Sequence, residues 1–310
     1  LWKKFVQPLT LAFHLLITFL IHKTMNKVWI ALLGLAMAVS CKKNDSWIPY
    51  GPGSNGQGGG GTGGGGTGGT GLVVSRVQNA FAINFSGNWC GPCGANGIPA
   101  LYNLSTTHGA KFSGIKVGLN DPFTVGEGSL MASQYSVSGI PAYVAGADFL
   151  QSSSAWTSAV NTIIGTVPAN VKAGVALRRT KVGDSIYVDT KAEFFQAVPA
   201  GNYSLAVFLI ENNIALSQAG QSDPNFKHKM VFRGGATAMP SNNITGVWGE
   251  KLENNNTAIP QGKTYEMTFG YVAPTGLTPA VNLNNLQAIA VIFETDNSGK
   301  PLRVLNSNRI

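Results

Sequence analysis

The sequence predicts an α/β domain followed by an all-β antiparallel sandwich. Three observations carry that expectation: a glycine-rich tract that ends at residue 71, alternating short apolar runs and helical patterns up to residue 167, and only strand-like patterns beyond it. Gly51 to Gly71 holds 14 glycines in 21 residues. Such a segment has no apolar surface to bury and behaves as a coil, spanning roughly 25 Å end to end by square-root scaling. It reads as a tether. Its dinucleotide-like glycine spacing lacks a preceding strand and a following helix, and before Gly262-Lys263-Thr264 a phosphate loop would need glycine where Thr257 stands, so no nucleotide site is expected.

In the α/β segment, Ala80 to Phe85 reads as a buried strand and Cys93 to Ser105 as a helix, although Gly94 and Gly97 weaken its first turns. Gly114 to Leu119 and Ala142 to Ala145 are further strands, with helices at Ser129 to Tyr135 and Ser154 to Ile164. After Pro168 the helical period disappears. Seven runs rich in Val, Ile, Phe and Tyr read as strands: Gly174 to Lys181, Ser185 to Phe195, Tyr203 to Ile210, Lys229 to Arg233, Thr264 to Val272, Gln287 to Glu294 and Leu302 to Leu305. Polar turns such as Val182-Gly183-Asp184 and Asp296-Asn297-Ser298-Gly299 punctuate them. That number of short strands fits a sandwich.

The chain has 310 residues and a formal net charge of +8, but the charge is unevenly placed. Lys3, Lys4, Lys23, Lys27, Lys42 and Lys43 all precede residue 44, where no Asp or Glu occurs; removing those six leaves 16 basic against 14 acidic residues. The basicity belongs to targeting, and no nucleic-acid partner is expected. Met25-Asn26-Lys27, the apolar run Val28 to Ala38 and then Ala38-Val39-Ser40-Cys41 have the layout of a secretory signal. The last four residues resemble a bacterial lipobox, which implies that Cys41 is acylated, becomes the mature N-terminus and anchors the chain in a lipid bilayer. The expected organisation is an upstream apolar segment at 1–24, a lipoprotein signal peptide at 25–40, a lipid-anchored glycine-rich linker at 41–71, the α/β domain at 72–167 and the sandwich at 168–310. A membrane span at 5–21 is the competing reading, although Gln7, Pro8 and His14 interrupt it.

With Cys41 acylated, the remaining cysteines are Cys90 and Cys93, within Trp89-Cys90-Gly91-Pro92-Cys93. Thiols at i and i+3 across the first turn of a helix can close a disulfide with little backbone movement, and unpaired N–H groups there favour a thiolate. Cys90 is therefore the expected nucleophile and Cys93 the buried resolving thiol, with Pro92 pre-setting the helix start. A permanent structural disulfide, a zinc site using His108 and His228, and a serine hydrolase are the alternatives. The four-residue loop gains little from closure, no ligand spacing recommends the histidines, and no nucleophile turn of the G-x-S-x-G kind appears.

WCGPC, the strand before it and the later Val137-Ser138-Gly139-Ile140-Pro141 together resemble thioredoxin over residues 72–167. The resemblance implies that Pro141 is cis beside the disulfide, that the Ile140 backbone pairs with an extended substrate segment, and that Trp89 and Gly91 border the site. Three departures stand out, one being that the stretch from Cys93 to Pro141 is several residues longer than in that family. Asn84 occupies the place of a buried acid that helps move the resolving thiol's proton, and Pro99 sits one residue later than the family's helix proline. The C-terminal half, through Leu205 to Asn212, Lys227 to Arg233 and Trp248-Gly249, resembles the twenty-eight-kilodalton outer-membrane-protein family of lipoproteins, which implies an envelope location. In that half His228 and Arg233 are the polar residues to examine. The expected function is an envelope-anchored thiol-disulfide oxidoreductase without a cofactor, acting on envelope proteins that carry thiols or disulfides and served by an upstream redox partner. The alternative is a surface binding lipoprotein in which the thioredoxin-like part is a non-catalytic scaffold.

Overall fold

The computed structural model describes residues 70–239, 246–253 and 256–310. The signal segment, Cys41 and nearly all of the glycine tract lie outside the described residues. The described residues belong to one compact unit. The described chain is mostly β with few helices, built on a mixed parallel and antiparallel sheet.

The first strand, β1 (Ala80–Ser86), is buried at every position. It runs parallel to β2 (Phe112–Gly118), with Asn84 opposite Lys116, and antiparallel to β3 (Ala142–Ala145), with Asn84 opposite Tyr143. A short edge strand, β4 (Asp148–Leu150), follows β3. Burial on both faces is why β1 and β3 read as short apolar runs.

The helix expected from Cys93 is made in two pieces. Cys93–Gly97 winds as a π turn, and α1 (Ile98–His108) continues from it as an ordinary helix. Pro99 explains the break: it has no N–H to offer the carbonyl four residues back, and its ring crowds that carbonyl. The wider turn accommodates one additional residue before the proline. Two further helices, α2 (Gly126–Gln134) and α3 (Ser153–Ile164), follow; Ser152 caps α3 by accepting from Ala155 N at 3.2 Å.

In the C-terminal half, β5 (Ala173–Val182) and β6 (Ser185–Phe194) form a hairpin, and β6 alternates buried and half-buried positions along its whole length. The long strand β7 (Val198–Glu211) leads through short β8 (Ile214–Ala215) and β9 (Lys227–His228) to β10 (Val231–Ala238). Short β11 (Glu250–Lys251) and β12 (Thr257–Ile259) pair with β7, and β13 (Thr264–Val272) pairs with β6. The chain ends in β14 (Leu286–Thr295) and β15 (Pro301–Arg309).

The sheet does not stop where the sequence pattern changes at residue 168. It runs β15-β14-β7-β10-β2-β1-β3-β4, because β10 lies parallel beside β2 with Val231 opposite Lys116. A Lys116 N–H to Met230 carbonyl bond of 2.7 Å closes the seam. The two faces of β7 then serve different cores. Leu205, Val207 and Leu209 pack with the apolar residues of β5, β6 and β13, whereas Ala206, Phe208 and Ile210 pack with β1 and the helices. Phe81 of β1 stacks on Phe208 of β7 at 5.6 Å and meets Phe293 of β14 edge-on at 5.7 Å. Each such side chain contributes about 1.5–3 kcal/mol by leaving water, and in this core they come from both segments.

Candidate functional site: the Cys90–Cys93 turn

The turn from Ser86 to Cys93 leaves the C-terminal end of β1 and enters the π turn. Cys90 N–H donates to the Gly87 carbonyl at 3.1 Å, and Asn88 N–H donates to Asp121 Oδ2 at 3.0 Å, which ties the turn to the loop after β2. Pro92 has helical dihedrals (φ −58°, ψ −31°) immediately before the π turn. Cys90 and Cys93 are joined by a disulfide with a Cα–Cα distance of 5.2 Å.

Cys93 is fully buried and Cys90 is 4% exposed, while the Trp89 side chain beside them is 57% exposed. Trp89 is held by its indole N–H, which lies 3.1 Å from the Asn120 carbonyl and 3.3 Å from that of Leu119. Cys93 N–H points at Cys90 Sγ from 3.1 Å. In the reduced protein that amide would face a Cys90 thiolate, a charge-assisted contact of the kind that lowers a thiol's pKa.

The loop before β3 supplies the other wall. Cys90 Sγ lies 3.7 Å from the Ile140 carbonyl oxygen, and the Ile140–Pro141 peptide bond is cis. A Cβ on Gly87 would fall 2.8 Å from Trp89 Nε1 and 3.2 Å from Ile140 Cδ1, so this glycine is where the Trp89 and Ile140 walls converge. Behind the pair, a Cβ on Gly97 would sit 2.9 Å from Pro141 Cβ and 3.2 Å from Asn84 Nδ2. Asn84 is fully buried, and neither amide atom has a hydrogen-bond partner among the described residues. A carboxylic acid in its place could exchange a proton with a thiol; an amide cannot. Gly91 has open space around its Cα, so nothing steric in the turn demands glycine there. Trp89, Cys90, Gly91, Pro92, Cys93, Ile140, Pro141 and Asn84 thus come together in one place, and Cys41 lies outside the described residues.

One titratable pair near this site was not legible as a pair. Lys116, on the strand beside Asn84, is fully buried, with its Nζ 2.8 Å from His228 Nδ1 and 4.5 Å from the centroid of the Phe123 ring. Burial pushes the ammonium down to about 7, with the Asp121 carboxylate opposing the shift. Burial and the neighbouring lysine push His228 down to about 3. The neutral imidazole donates from Nε2 to the Leu216 carbonyl at 3.0 Å, which leaves Nδ1 to accept from the lysine. Asp121 is raised, mainly by burial.

Arg233 lies elsewhere, in an ion pair with Glu211 (Nε–Oε2 2.9 Å) inside the C-terminal half. His108 Nε2 is 2.8 Å from Asn161 Oδ1. Among the described residues no three His, Cys, Asp or Glu side chains cluster as a metal site would need.

The two glutamines of the β8–β9 loop were also not anticipated. Gln218 Nε2 lies 3.1 Å from the Gly87 carbonyl and 3.2 Å from that of Cys90, and Gln221 Nε2 donates to the Gly94 carbonyl at 2.6 Å. More than 120 residues separate these partners, and a glutamine in a polar loop carries no sequence signature of what it will hold.

No family model and no curated protein matches the chain. Among solved structures, the fold is similar to HBP35 of Porphyromonas gingivalis, with a TM-score of 0.56 and 15% identity over 76% of each chain. A protein from Agrobacterium tumefaciens is similar with a TM-score of 0.47 and 10% identity, over 76% of this chain and 95% of that one. A domain of the outer membrane lipoprotein Omp28 from Porphyromonas gingivalis matches at 14% identity over 46% of this chain and 88% of its own, with a TM-score of 0.28. At these identities what the chain shares with HBP35 is a fold.

Proposed function

We propose that the protein is a thiol-disulfide oxidoreductase whose working pair is Cys90 and Cys93, carried on a thioredoxin-like segment (72–167) with a β-sandwich behind it (168–310). The observation that carries this reading is the Cys90 sulfur, held between the Cys93 N–H at 3.1 Å and the Ile140 carbonyl at 3.7 Å, with Trp89 exposed beside it. In the reducing direction the Cys90 thiolate attacks one sulfur of a substrate disulfide, and the other sulfur leaves as a thiolate that takes a proton from water. Cys93 then gives up its proton and attacks Cys90 Sγ in the mixed disulfide. The substrate leaves as a dithiol, and the two electrons it gained are those lost when Cys90–Cys93 closed. The reverse sequence delivers a disulfide instead. Ile140 lends its backbone to an extended substrate segment, and Trp89 and Pro141 border the opening.

Anchoring by an acylated Cys41 would place this chemistry in the cell envelope, where disulfides persist. The glycine tract would give the pair a working radius of about 25 Å. Its substrates are envelope proteins with thiols or disulfides, its redox state is set by an upstream partner, and no cofactor or nucleic acid takes part. Asn84, buried and unpartnered at the back of the pair, favours a second reading as a binding lipoprotein built on a retired scaffold.

Insulin reduction by dithiothreitol separates the two: the full chain accelerates it, and Cys90→Ser returns it to the uncatalysed rate. Equal rates with and without the wild-type chain would leave the scaffold reading. For the anchor, metabolic labelling with palmitate marks the wild type and is lost in Cys41→Ser; label that persists in the variant contradicts acylation at Cys41.

A further inference from the structure

The β8–β9 loop leaves the C-terminal half and lies directly on the dithiol turn. Its base is closed by a Leu216 N–H to Phe226 carbonyl bond of 3.1 Å, and His228 Nε2 holds the Leu216 carbonyl from 3.0 Å. At its tip Ala219 N–H donates to the Asn88 carbonyl at 2.8 Å. Two glycines permit the approach. A Cβ on Gly94 would fall 2.0 Å from the Ala219 carbonyl oxygen, and one on Gly220, at φ +84°, would fall 2.3 Å from the Gly91 carbonyl oxygen. Gly94, which weakens a helix start by sequence, therefore has a packing reason to be there.

Gln218 is the centre of this contact. It is 2% exposed, and its Nε2 faces three carbonyl oxygens, those of Gly87, Cys90 and Ala219, at 3.1, 3.2 and 3.1 Å. Only the NH2 end of the amide can face three acceptors, so its orientation is fixed by its surroundings. The opposite end, Oε1, is buried without a partner among the described residues. A side chain kept buried with half of its hydrogen-bonding capacity unused is there for what its other half holds.

Resting on the proposed dithiol chemistry, we propose that Gln218 is a positioning residue for Cys90: it pins the Cys90 carbonyl so that the Cys93 N–H stays on Cys90 Sγ, and its N–H dipoles favour negative charge on that sulfur. The C-terminal half thereby completes the site of the N-terminal half. By linkage, whatever favours the thiolate is itself favoured by it, so the loop holds the reduced turn more tightly than the oxidised one.

The experiment uses the reduced full chain, with alkylation of Cys90 followed against pH in the wild type, Gln218→Met and Gln218→Glu, and read by mass spectrometry on the peptide that carries Cys90. Asp121, which binds the turn at Asn88, and the Lys116–His228 pair at the base of the loop are common to all three proteins. The expected order of alkylation midpoints is wild type lowest, Met higher by about half to one pH unit, and Glu higher still, since Met keeps the packing and Glu adds a negative charge. A purely structural glutamine would weaken the fold in both variants without ordering the midpoints by charge. Coincident midpoints in the three proteins overturn the proposal.

Should the variants fail to fold, amide exchange of Ala219 in the wild type reads the same linkage. Exchange several-fold slower in the reduced than in the oxidised protein is expected, and equal exchange in the two states overturns the proposal. Failure of the redox reading itself is distinguishable. It shows as a wild-type dithiol that does not accelerate insulin reduction by dithiothreitol, whereas failure of the positioning role leaves that acceleration intact and the midpoints unmoved.

Discussion

Among the described residues, a buried lysine–histidine pair on and beside β2 and a buried glutamate–arginine pair inside the C-terminal half meet the cost of burial differently. Glu211 and Arg233 are of opposite charge; their side chains are 4% and 0% exposed, and Glu211 Oε1 accepts a further bond from Asn282 N–H at 3.0 Å. Burial raises Glu211 and lowers Arg233, and their mutual attraction works against both shifts. Lys116 and His228 would both be cations. They share a single hydrogen bond, and burial drives both toward neutrality. The strand β10 carries Arg233 and runs between Lys116 of β2 and Glu211 of β7, with Val231 opposite both. The first pair locks strands by charge; the second is a titratable joint between the sheet and the loop that covers the dithiol.

Breaking the charged pair has the larger expected effect. Glu211→Gln leaves a buried guanidinium without its counter-charge and should cost about 3–5 kcal/mol in denaturant unfolding. Combining it with Arg233→Met should recover much of that loss, and a double variant as unstable as the sum of the singles would contradict the coupling.

The lysine pair should show itself through pH. Lys116 is lowered to about 7 in the folded chain from the ordinary 10.5, so between these values the unfolded chain binds more protons and stability rises with pH. The limiting slope is about 1.4 kcal/mol per pH unit. His228, lowered from 6.5 to about 3, gives a slope of the same sign between those values, but the raised Asp121 and Glu211 oppose it there. The window from pH 7 to 10 is therefore the informative one. Wild-type unfolding should become more costly across it, and Lys116→Met should flatten the rise; a flat wild-type profile would mean that Lys116 stays charged.

The same contrast explains what could be read from the sequence. The geometry of the cysteine turn was legible because Trp89 to Cys93 are five consecutive residues, and the Gly-Ile-Pro tripeptide points to its second wall. Most strands were legible from apolar runs, including Thr264–Val272 with its bounds intact. The seam between β10 and β2 was not, because a parallel pairing between residues 116 and 231 leaves no local pattern. A clue was present in Leu205 to Ile210 and Ala288 to Phe293, where apolar residues occupy both parities; a strand buried on both faces does this, and a sandwich strand with one wet face does not. β6, with its strict alternation, is the counter-example in the same half. Lys116, Gln218 and Gln221 were illegible for a simpler reason: their partners are set by the fold.

If Cys90 attacks and Cys93 resolves, removing Cys93 traps the mixed disulfide. In cells, a full-length Cys93→Ala variant should accumulate mixed disulfides with other proteins through Cys90. These adducts should vanish on reduction and be missing when Cys90→Ser is added. A Cys93→Ala chain that collects no such adducts, beside a wild type that is inert toward insulin, would contradict the account.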